Sequence, residues 1–205
     1  MRTYIRFIFV AITFLSGFSL FADTFSFKAD RMTGGRASGK ENTVLIGNAE
    51  VKSDKLVVKA DRIELFGKNN QFMECTGQVI GREEEKQIYF TTEKMRYDRE
   101  TKIAILEGNS SLEDKKNEIV ARGRYIEYNQ KTEVTVLQIS VRLFKDSMAC
   151  RSEYAVYRRE EKLLDLSGFP VVYKKDDEFR ADRIRVDLDS DDITMEGSVS
   201  GAIKE

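Results

Sequence analysis

Acidic side chains are the main groups in this sequence that can act as catalysts or metal ligands, because the 205-residue chain contains no histidine. Histidine is the commonest general base and the commonest metal ligand in proteins. The acids cluster at residues 83–85 and 189–192, and both clusters are predicted to lie in turns. Solvated turns are the favoured interpretation of these clusters, and metal binding is the alternative.

The Asp-Arg pair of the short motif Ala-Asp-Arg is a second candidate, as a catalytic dyad. The motif recurs at a regular spacing along the chain, which instead predicts a ladder of surface charge pairs on neighbouring strands. An enzyme acting on polysaccharides would need two carboxyl groups on one face at catalytic distance, and the acids lie only in turns and in this ladder. We therefore predict a protein that is not an enzyme and that has no metal or other cofactor.

Two cysteines, Cys75 and Cys150, are the remaining reactive side chains. They are separated by 75 residues, which is two and a half of the repeats described below, or about five strands. At about 4.8 Å per strand, the two residues lie on the order of 24 Å apart along the sheet, whereas a disulfide needs Cα atoms within about 7 Å. We predict that both thiols are free and that Cys75 is buried.

The first 22 residues have the order of a secretory signal peptide: Arg2 and Arg6, then an apolar run over residues 7–21, then Ala22 before a polar segment. The run is shorter than the roughly 20 residues that a spanning helix needs. We expect cleavage after Ala22, which leaves one domain over residues 23–205, and an uncleaved anchor is the alternative. The 34 basic and 35 acidic residues nearly cancel, which argues against a general affinity for nucleic acid.

An internal repeat with a period of 29 to 32 residues runs along the chain. Its first marker is a small residue in motifs such as "KADRI", and its second is a glycine position 16 to 18 residues later. Such a period indicates an array of stacked units. The small residues are Ala29, Ala60, Thr92, Gly123, Ser152 and Ala181, and the glycine positions are Gly47, Gly77, Gly108, Ile139, Gly168 and Gly197.

Within each unit the apolar residues alternate along the chain, which is the pattern of a β-strand. In "LVVKADRIEL" the residues Leu56, Val58 and Ala60 alternate, and after a shift of one position Ile63 and Leu65 alternate again. The shift predicts a bulge after the small residue, and a glycine inside a strand predicts a second bend. Each unit is therefore predicted to form two bent antiparallel strands, so that six units give an all-β domain of about twelve strands.

The alternating apolar residues have two interpretations. One is the filled core of an ordinary β-structure. The other is an open-ended groove between the two halves of the bent sheet, which takes up the acyl chains of a lipid. Periodicity does not separate the two, and by itself it favours the core.

Two stretches, "IGNAEVKSDKLVVKADRIEL" (46–65) and "TEKMRYDRETKIAILEGNSSLEDKKNEIVARGRYIEY" (92–128), resemble the periplasmic lipopolysaccharide-transport protein A family, also called the organic-solvent-tolerance-like (OstA-like) domain. In that family a Thr-Gly-Asn-Val-like strand precedes a polar hairpin and an Ala-Asp-Lys-Ile-like strand. The resemblance covers residues 24–140 well and the last two units more loosely. The residues that match are Gly47, Asn48, Ala49 and Val51 in the first strand and Lys59, Ala60, Asp61, Arg62 and Ile63 in the second.

The resemblance implies an open-ended β-jellyroll of V-shaped strands in the periplasm. It implies that lipopolysaccharide or a related glycolipid passes from the inner to the outer membrane with its acyl chains in an apolar groove, which favours the groove over the core. The implied partners are inner- and outer-membrane transport proteins of the same fold and further copies of this chain, joined head to tail. The alternatives are an inner-membrane-anchored relative and a structural β-repeat protein of the envelope with a filled core.

The resemblance also implies lipid-facing residues and draws attention to the fourth unit. There Ile139 replaces the glycine, which is expected to straighten the strand, and Arg124 replaces an acid, which is expected to interrupt the charge ladder. Alignment with the family places Phe25, Phe27 and Tyr97 at lipid-facing positions, and the alternation of the chain adds Val58, Ile63, Leu65, Phe90 and Met95.

The outermost strands of such an array, near residues 25–32 and 193–202, have no predicted neighbour on one side. The first of them alternates Phe25, Phe27 and Ala29 with few charged residues to block pairing. Unpaired backbone groups at a sheet edge can accept the strand of another chain. We therefore predict association through these edges.

Overall fold

The structure is a computed structural model that describes residues 25–37, 40–53 and 55–204. In this part of the chain the strands pair antiparallel and form a single sheet. The predicted signal peptide, residues 1–22, lies outside the described residues. The strands are β1 (Phe25–Lys28), β2 (Arg31–Ala37), β3 (Lys40–Ser53), β4 (Leu56–Phe66), β5 (Phe72–Glu83), β6 (Ile88–Asp98), β7 (Ile103–Asp114), β8 (Ile119–Asn129), β9 (Val134–Lys145), β10 (Met148–Arg158), β11 (Leu163–Ser167), β12 (Val171–Lys174), β13 (Asp177–Arg180), β14 (Arg183–Asp187), β15 (Ile193–Glu196) and β16 (Ser200–Ala202).

Neighbours in the sheet are neighbours in the sequence, so the sheet grows by one hairpin per repeat. Eight strands, β3 to β10, are long and continuous, with 11 to 14 residues each. The other eight segments join into four bent strands: β1 with β2 along β3, β11 with β12 along β10, and then β13 with β14 and β15 with β16. The described chain therefore contains the twelve bent strands that the repeat predicts, and the all-β expectation is confirmed.

The sheet does not close on itself in the described residues. One edge is formed by β1 and β2, which pair only with β3, and the other is formed by β15 and β16, which pair with β14 and β13. These are the two edges that the repeat predicts at residues 25–32 and 193–202.

Each long strand bends where the sequence predicts a bulge. Between β4 and β5 the register passes from Lys59 opposite Ile80 directly to Arg62 opposite Thr76. Equivalent shifts interrupt every pairing of two long strands from β3 to β10. On the partner strand the glycine takes a positive φ, for example +78° at Gly77, a conformation that only glycine adopts without strain.

The acid of the recurring Ala-Asp-Arg motif packs against this glycine. A Cβ atom on Gly77 would lie 2.3 Å from Asp61 Oδ2, so only a glycine leaves room for the carboxylate. The same contact recurs between the acid and the glycine of other units. Two of these acids also accept a backbone hydrogen bond: the N–H of Asn109 donates to Glu93, and the N–H of Ser140 donates to Glu153. The contacts are Asp30 with Gly47, Glu93 with Gly108, Glu153 with Gly168 and Asp182 with Gly197.

The predicted ladder of Asp-Arg pairs is therefore wrong in its partners. Arg62 pairs with Glu64, 2.8 Å away, and Asp61 instead lies against the glycine. Surface ion pairs do cross between strands at other positions, such as Lys94 with Glu74. The acid recurs along the chain because it packs against the bend glycine wherever a unit has one, which is a local backbone reason.

The fourth unit keeps its bend, so the expectation that Ile139 straightens the strand is also wrong. Ile139 and Ser140 have φ values of 65° and 58°, and the register passes over both of them opposite Glu153. The bends of the strands on either side impose this conformation on a β-branched residue, which is strained there. Arg124 stands at the acid position of the same unit, so both partners of the acid–glycine contact are replaced together.

The bends divide the sheet into two arms. We call the halves that end at the turns of residues 84–87 and 115–118 the A arm, and the halves that end at the turns of residues 99–102 and 130–133 the B arm. Buried residues of both arms belong to one continuous apolar cluster. The arms therefore pack against each other through their inner faces, and each strand alternates between this interior and the solvent.

Candidate functional site

The structure brings six of the eight predicted lipid-facing residues together in the interior between the arms. All six are at most 4% exposed and belong to one apolar cluster. The cluster extends through the units along the stack, so the predicted site is a section of a longer interior. The six residues are Val58, Ile63, Leu65, Phe90, Met95 and Tyr97.

The two predicted residues nearest the N-terminus lie at the sheet edge. Phe25 pairs with Ser53 through its backbone, and the structure does not describe its side chain. Phe27 pairs with Val51 and is 44% exposed. Phe27 is therefore placed where an added strand would cover it, at the open end of the apolar cluster.

The interior is closed to solvent in this structure. The ring of Phe90 lies over Gly81 so closely that a Cβ on the glycine would be 1.9 Å from it. Tyr97 is buried up to its hydroxyl, which donates a hydrogen bond to Gln130 Oε1 (2.7 Å). The buried apolar side chains form one continuous cluster in the space in which the resemblance implies a lipid.

A line of polar contacts joins the A arm to the B arm along the edge where their turns meet, and we call this line the seam. Three of its pairs are separated in sequence by 46, 47 and 45 residues, so the contact recurs once per repeat. The pairs are Ser53 with Arg99 (3.2 Å), Glu83 with Gln130 (3.1 Å), Asp114 with Arg159 (2.7 Å) and Lys145 with Asp191 (3.8 Å).

The strongest contacts of the seam surround Asp114, which is completely buried. Its Oδ2 accepts hydrogen bonds from Arg159 Nε (2.7 Å) and from the hydroxyl of Tyr157 (3.0 Å). Asn117 Nδ2 donates to both Asp114 Oδ2 (2.7 Å) and the Tyr157 hydroxyl (3.1 Å). Burial and the neighbouring Asp114 carboxylate raise the pKa of Tyr157, so its hydroxyl remains a donor.

Arg159 extends this cluster to a second acid. Its Nη1 donates to Glu133 Oε2 (2.5 Å) and its Nη2 to the backbone carbonyl of Lys86 (3.0 Å), while Lys86 Nζ lies 2.6 Å from Glu133 Oε1. Burial alone would raise the pKa of the Glu133 carboxyl, but the hydrogen bonds from Lys86 and Arg159 lower it to about 2. Glu133 therefore stays charged at neutral pH between Lys86 and Arg159.

Glu83 corrects the prediction that residues 83–85 form a solvated turn. It ends β5, is 6% exposed, and accepts hydrogen bonds from Tyr128 (3.3 Å) and Gln130 (3.1 Å). Burial is the main cause that raises the pKa of Glu83. Sequence reasoning missed the seam, and the signal that was present is the polar residue at equivalent strand ends, Ser53, Glu83, Asp114 and Lys145.

Two clefts open on the surface near these elements. One, of about 170 Å³, lies on the seam between the Ser53–Arg99 and Glu83–Gln130 contacts. The other, of about 410 Å³, lies beside β11, β14 and β15 and contains Asp165, whose pKa burial would raise but hydrogen bonds from Arg185 and Arg158 lower. In the second cleft Asp165 pairs with Arg185, whose Nε lies 2.7 Å from Asp165 Oδ1.

Both cysteines are free and buried, which confirms the prediction against a disulfide. Burial raises the pKa of the Cys150 thiol to about 12 and that of Cys75 further still, so neither has the character of a reactive thiolate. Within the described residues, histidine, cysteine and acidic side chains form no group of three or more that could hold a metal ion. No helix among the described residues is long and apolar enough to cross a membrane.

Comparisons with known proteins give two matches of different weight. The model of the family described as LptA/(LptD N-terminal domain) LPS transport protein matches residues 28–134. A crystal structure of LptH, the LptA homologous periplasmic component of the lipopolysaccharide transport device of Pseudomonas aeruginosa, is 12% identical, covers 89% of this chain and 96% of its own, and has a TM-score of 0.28. At that TM-score the likeness adds nothing to the strand pairing described above. No curated protein sequence matches the chain.

Proposed function

This chain belongs to the LptA/LptD N-terminal domain family of lipopolysaccharide transport proteins, and from that premise we propose that it carries lipopolysaccharide, or a related glycolipid, between the inner and the outer membrane. The observation that carries the proposal is the apolar interior, which runs without a break through the units of a sheet with two unpaired edges. The chain itself performs no bond chemistry in this role. Binding comes from the burial of acyl chains.

The closed interior must open for a lipid to enter, and magnitudes show that it can. Burial of one methylene is worth about 0.8 kcal/mol, so ten methylenes of an acyl chain supply about 8 kcal/mol. The hydrogen bond of the seam from Arg99 to Ser53 has a charged donor, and such a bond contributes about 1.5–3 kcal/mol. The free energy gained by burying an acyl chain therefore exceeds the free energy of breaking a few contacts of the seam.

We further propose that the protein works in the periplasm after cleavage following Ala22, and that its two sheet edges pair with domains of the same fold or with further copies of this chain. Pairing at β1 and β2 would continue the hydrogen-bond ladder and cover Phe27. N-terminal sequencing of the protein from native envelopes is expected to begin at Asp23. An intact Met1 would favour the inner-membrane-anchored relative.

The test of transport is a search for bound lipid. Protein isolated from native envelopes is expected to carry an acyl-chain lipid that mass spectrometry detects. A photo-crosslinker at Phe27 is expected to capture both that lipid and residues 200–202 of a neighbouring subunit. The matched control is a photo-crosslinker at the exposed Phe169, at the bend between β11 and β12, which should capture no lipid.

A second candidate function is a structural β-repeat protein of the envelope, and the closed interior is the observation that favours it. Absence of lipid from the isolated protein, together with crosslinks from Phe27 to protein alone, would support this candidate and reject transport.

A further inference from the structure

We propose that the cleft on the seam between the Ser53–Arg99 and Glu83–Gln130 contacts is the port through which an anionic amphiphile enters the interior, with its charged head held at the rim and its acyl chain between the arms. The proposal rests on the proposed function, because it names the route and the charge of the ligand for the same interior. We call this cleft the port. Its lining residues are Ser53, Lys55, Leu56, Glu83, Tyr97, Lys102, Gln130 and Lys131.

The port leads to the apolar interior. Leu56 and Tyr97 line it, and both are also members of the continuous apolar cluster, at 3% and 4% exposure. The base of the cleft is thus the outer wall of the interior. An acyl chain that displaces these two side chains enters the space between the arms directly.

The port also lies where the seam is weaker than at Asp114. On one side of it the arms are joined by the neutral Ser53 hydroxyl and Arg99, and on the other by Glu83 with the neutral Gln130. The buried ion pair of Asp114 and Arg159 lies further along the stack. Breaking a buried ion pair costs more than breaking a hydrogen bond that has only one charged partner, so the arms separate at the port at lower cost than at Asp114.

The charges of the port select an anion. Among the described residues that line the port, three are lysines, Lys55 from the A arm and Lys102 and Lys131 from the B arm, and Glu83 is the one carboxylate. Glu83 is buried and already accepts hydrogen bonds from Tyr128 and Gln130. Lys55 pairs with Glu85 at the surface, a contact between exposed groups that costs little to exchange for another anion.

The port is too small to hold a lipid in its present form. Its volume of about 170 Å³ is below the roughly 300–1,000 Å³ of ordinary ligand pockets. Entry therefore requires the A and B arms to move apart at this point, so a link between Lys55 and Lys131 would close the port.

The first experiment locks the port. A Lys55→Cys/Lys131→Cys variant is joined by a cleavable bismaleimide, and binding of 11-(dansylamino)undecanoic acid is followed by fluorescence. We expect the linked protein to lose binding and to regain it when the linker is reduced. The matched control is Lys68→Cys/Glu100→Cys, in which both thiols lie on the B arm beside one cleft outside the port, and this link should leave binding unchanged.

The second experiment tests the charge. Replacement of Lys55, Lys102 and Lys131 by Ala is expected to weaken binding of the acid about tenfold, from about 0.5 kcal/mol for each exposed ion pair, while binding of its methyl ester changes less than about twofold. Replacement of the exposed Lys116, Lys175 and Lys204 by Ala removes the same net charge elsewhere and should affect neither probe.

The outcomes separate the two proposals. If the unaltered protein binds neither probe, carriage of lipid by this interior is wrong, and the port is wrong with it. If it binds both probes but the lock and the three-lysine variant change nothing, the interior takes up acyl chains by another route and the port alone is wrong.

Discussion

The apolar interior and the polar seam hold the same two arms together by different physics. Interior side chains such as Ile63 and Met95 stabilise the closed form by leaving water, an effect that an acyl chain can replace. At the seam, Asp114 and Arg159 stabilise it through directed bonds between buried charges, which an acyl chain cannot replace. If the interior takes up a lipid, as we propose, it has one exchangeable contact surface and one set of fixed contacts that decides where it opens.

The largest expected effect comes from breaking the seam at its centre. Asp114→Ala leaves Arg159, which is 7% exposed, without one of its acids, and removal of one partner from a buried ion pair typically costs about 3–5 kcal/mol. Urea unfolding measures the loss of free energy. The control is Asp189→Ala, which removes a surface ion pair with Lys162 and should cost less than about 1 kcal/mol. Equal losses in the two variants would show that the seam contributes no more than the surface.

The second prediction uses pH to separate the seam from the interior. Because the folded-state pKa of Glu133 is lowered to about 2, Glu133 stabilises the fold at pH values above its ordinary pKa of about 4.3, and this contribution is lost as the pH falls toward about 2. Apolar contacts do not titrate. The melting temperature of the unaltered protein should therefore fall more steeply between pH 5 and pH 2 than that of Glu133→Gln. Parallel curves would exclude Glu133 as the cause.

A smaller effect is expected at the bend of the fourth unit. Ile139 has a φ of 65°, which is strained for a β-branched residue, so Ile139→Gly should raise the free energy of unfolding by about 1 kcal/mol. The opposite change, Gly77→Ala, should lower it, because the added Cβ would collide with Asp61. Chemical denaturation of both variants measures the pair. If Ile139→Gly instead destabilises the protein, the Ile139 side chain, although 51% exposed, stabilises the fold by more than its strained backbone costs.

The sequence predicts the interior and the bends because each depends on residues close together in the chain. Alternation assigns Val58, Ile63 and Leu65 to one face, and the repeat places a bend at Gly77. The interpretation of the bend acid was wrong because a carboxylate beside an arginine suggests an ion pair, and sequence does not show that Asp61 lies against a glycine of the next strand.

The seam was not predicted because it joins residues about one and a half repeats apart. Asp114 and Arg159 are separated by 45 residues, and their contact depends on how far the two arms fold toward each other. The sequence around a glutamate at a strand end is the same whether its side chain is solvated or buried, which is why the sequence predicts a solvated turn at Glu83 although the residue is buried. The state of the interior, filled or open, depends on this same angle between the arms and is equally invisible to periodicity.

The smallest expected effect is at the two thiols, and it tests whether the interior opens apart from global unfolding. Cys75 and Cys150 are both free and are buried members of the apolar cluster, so the intact mass should be the same with and without reductant. Neither thiol should react with a maleimide. A cysteine placed at Lys131 is the control and should react fully. Addition of 11-(dansylamino)undecanoic acid should increase labelling of Cys75 and should leave Cys150 protected. The reason is that Cys75 pairs with Met95 and Ile63 close to Tyr97, at the base of the port.

A mass two units lower before reduction would show a disulfide and an incorrect register. Equal labelling of both thiols would show that the whole sheet opens at once and that the seam does not confine the opening.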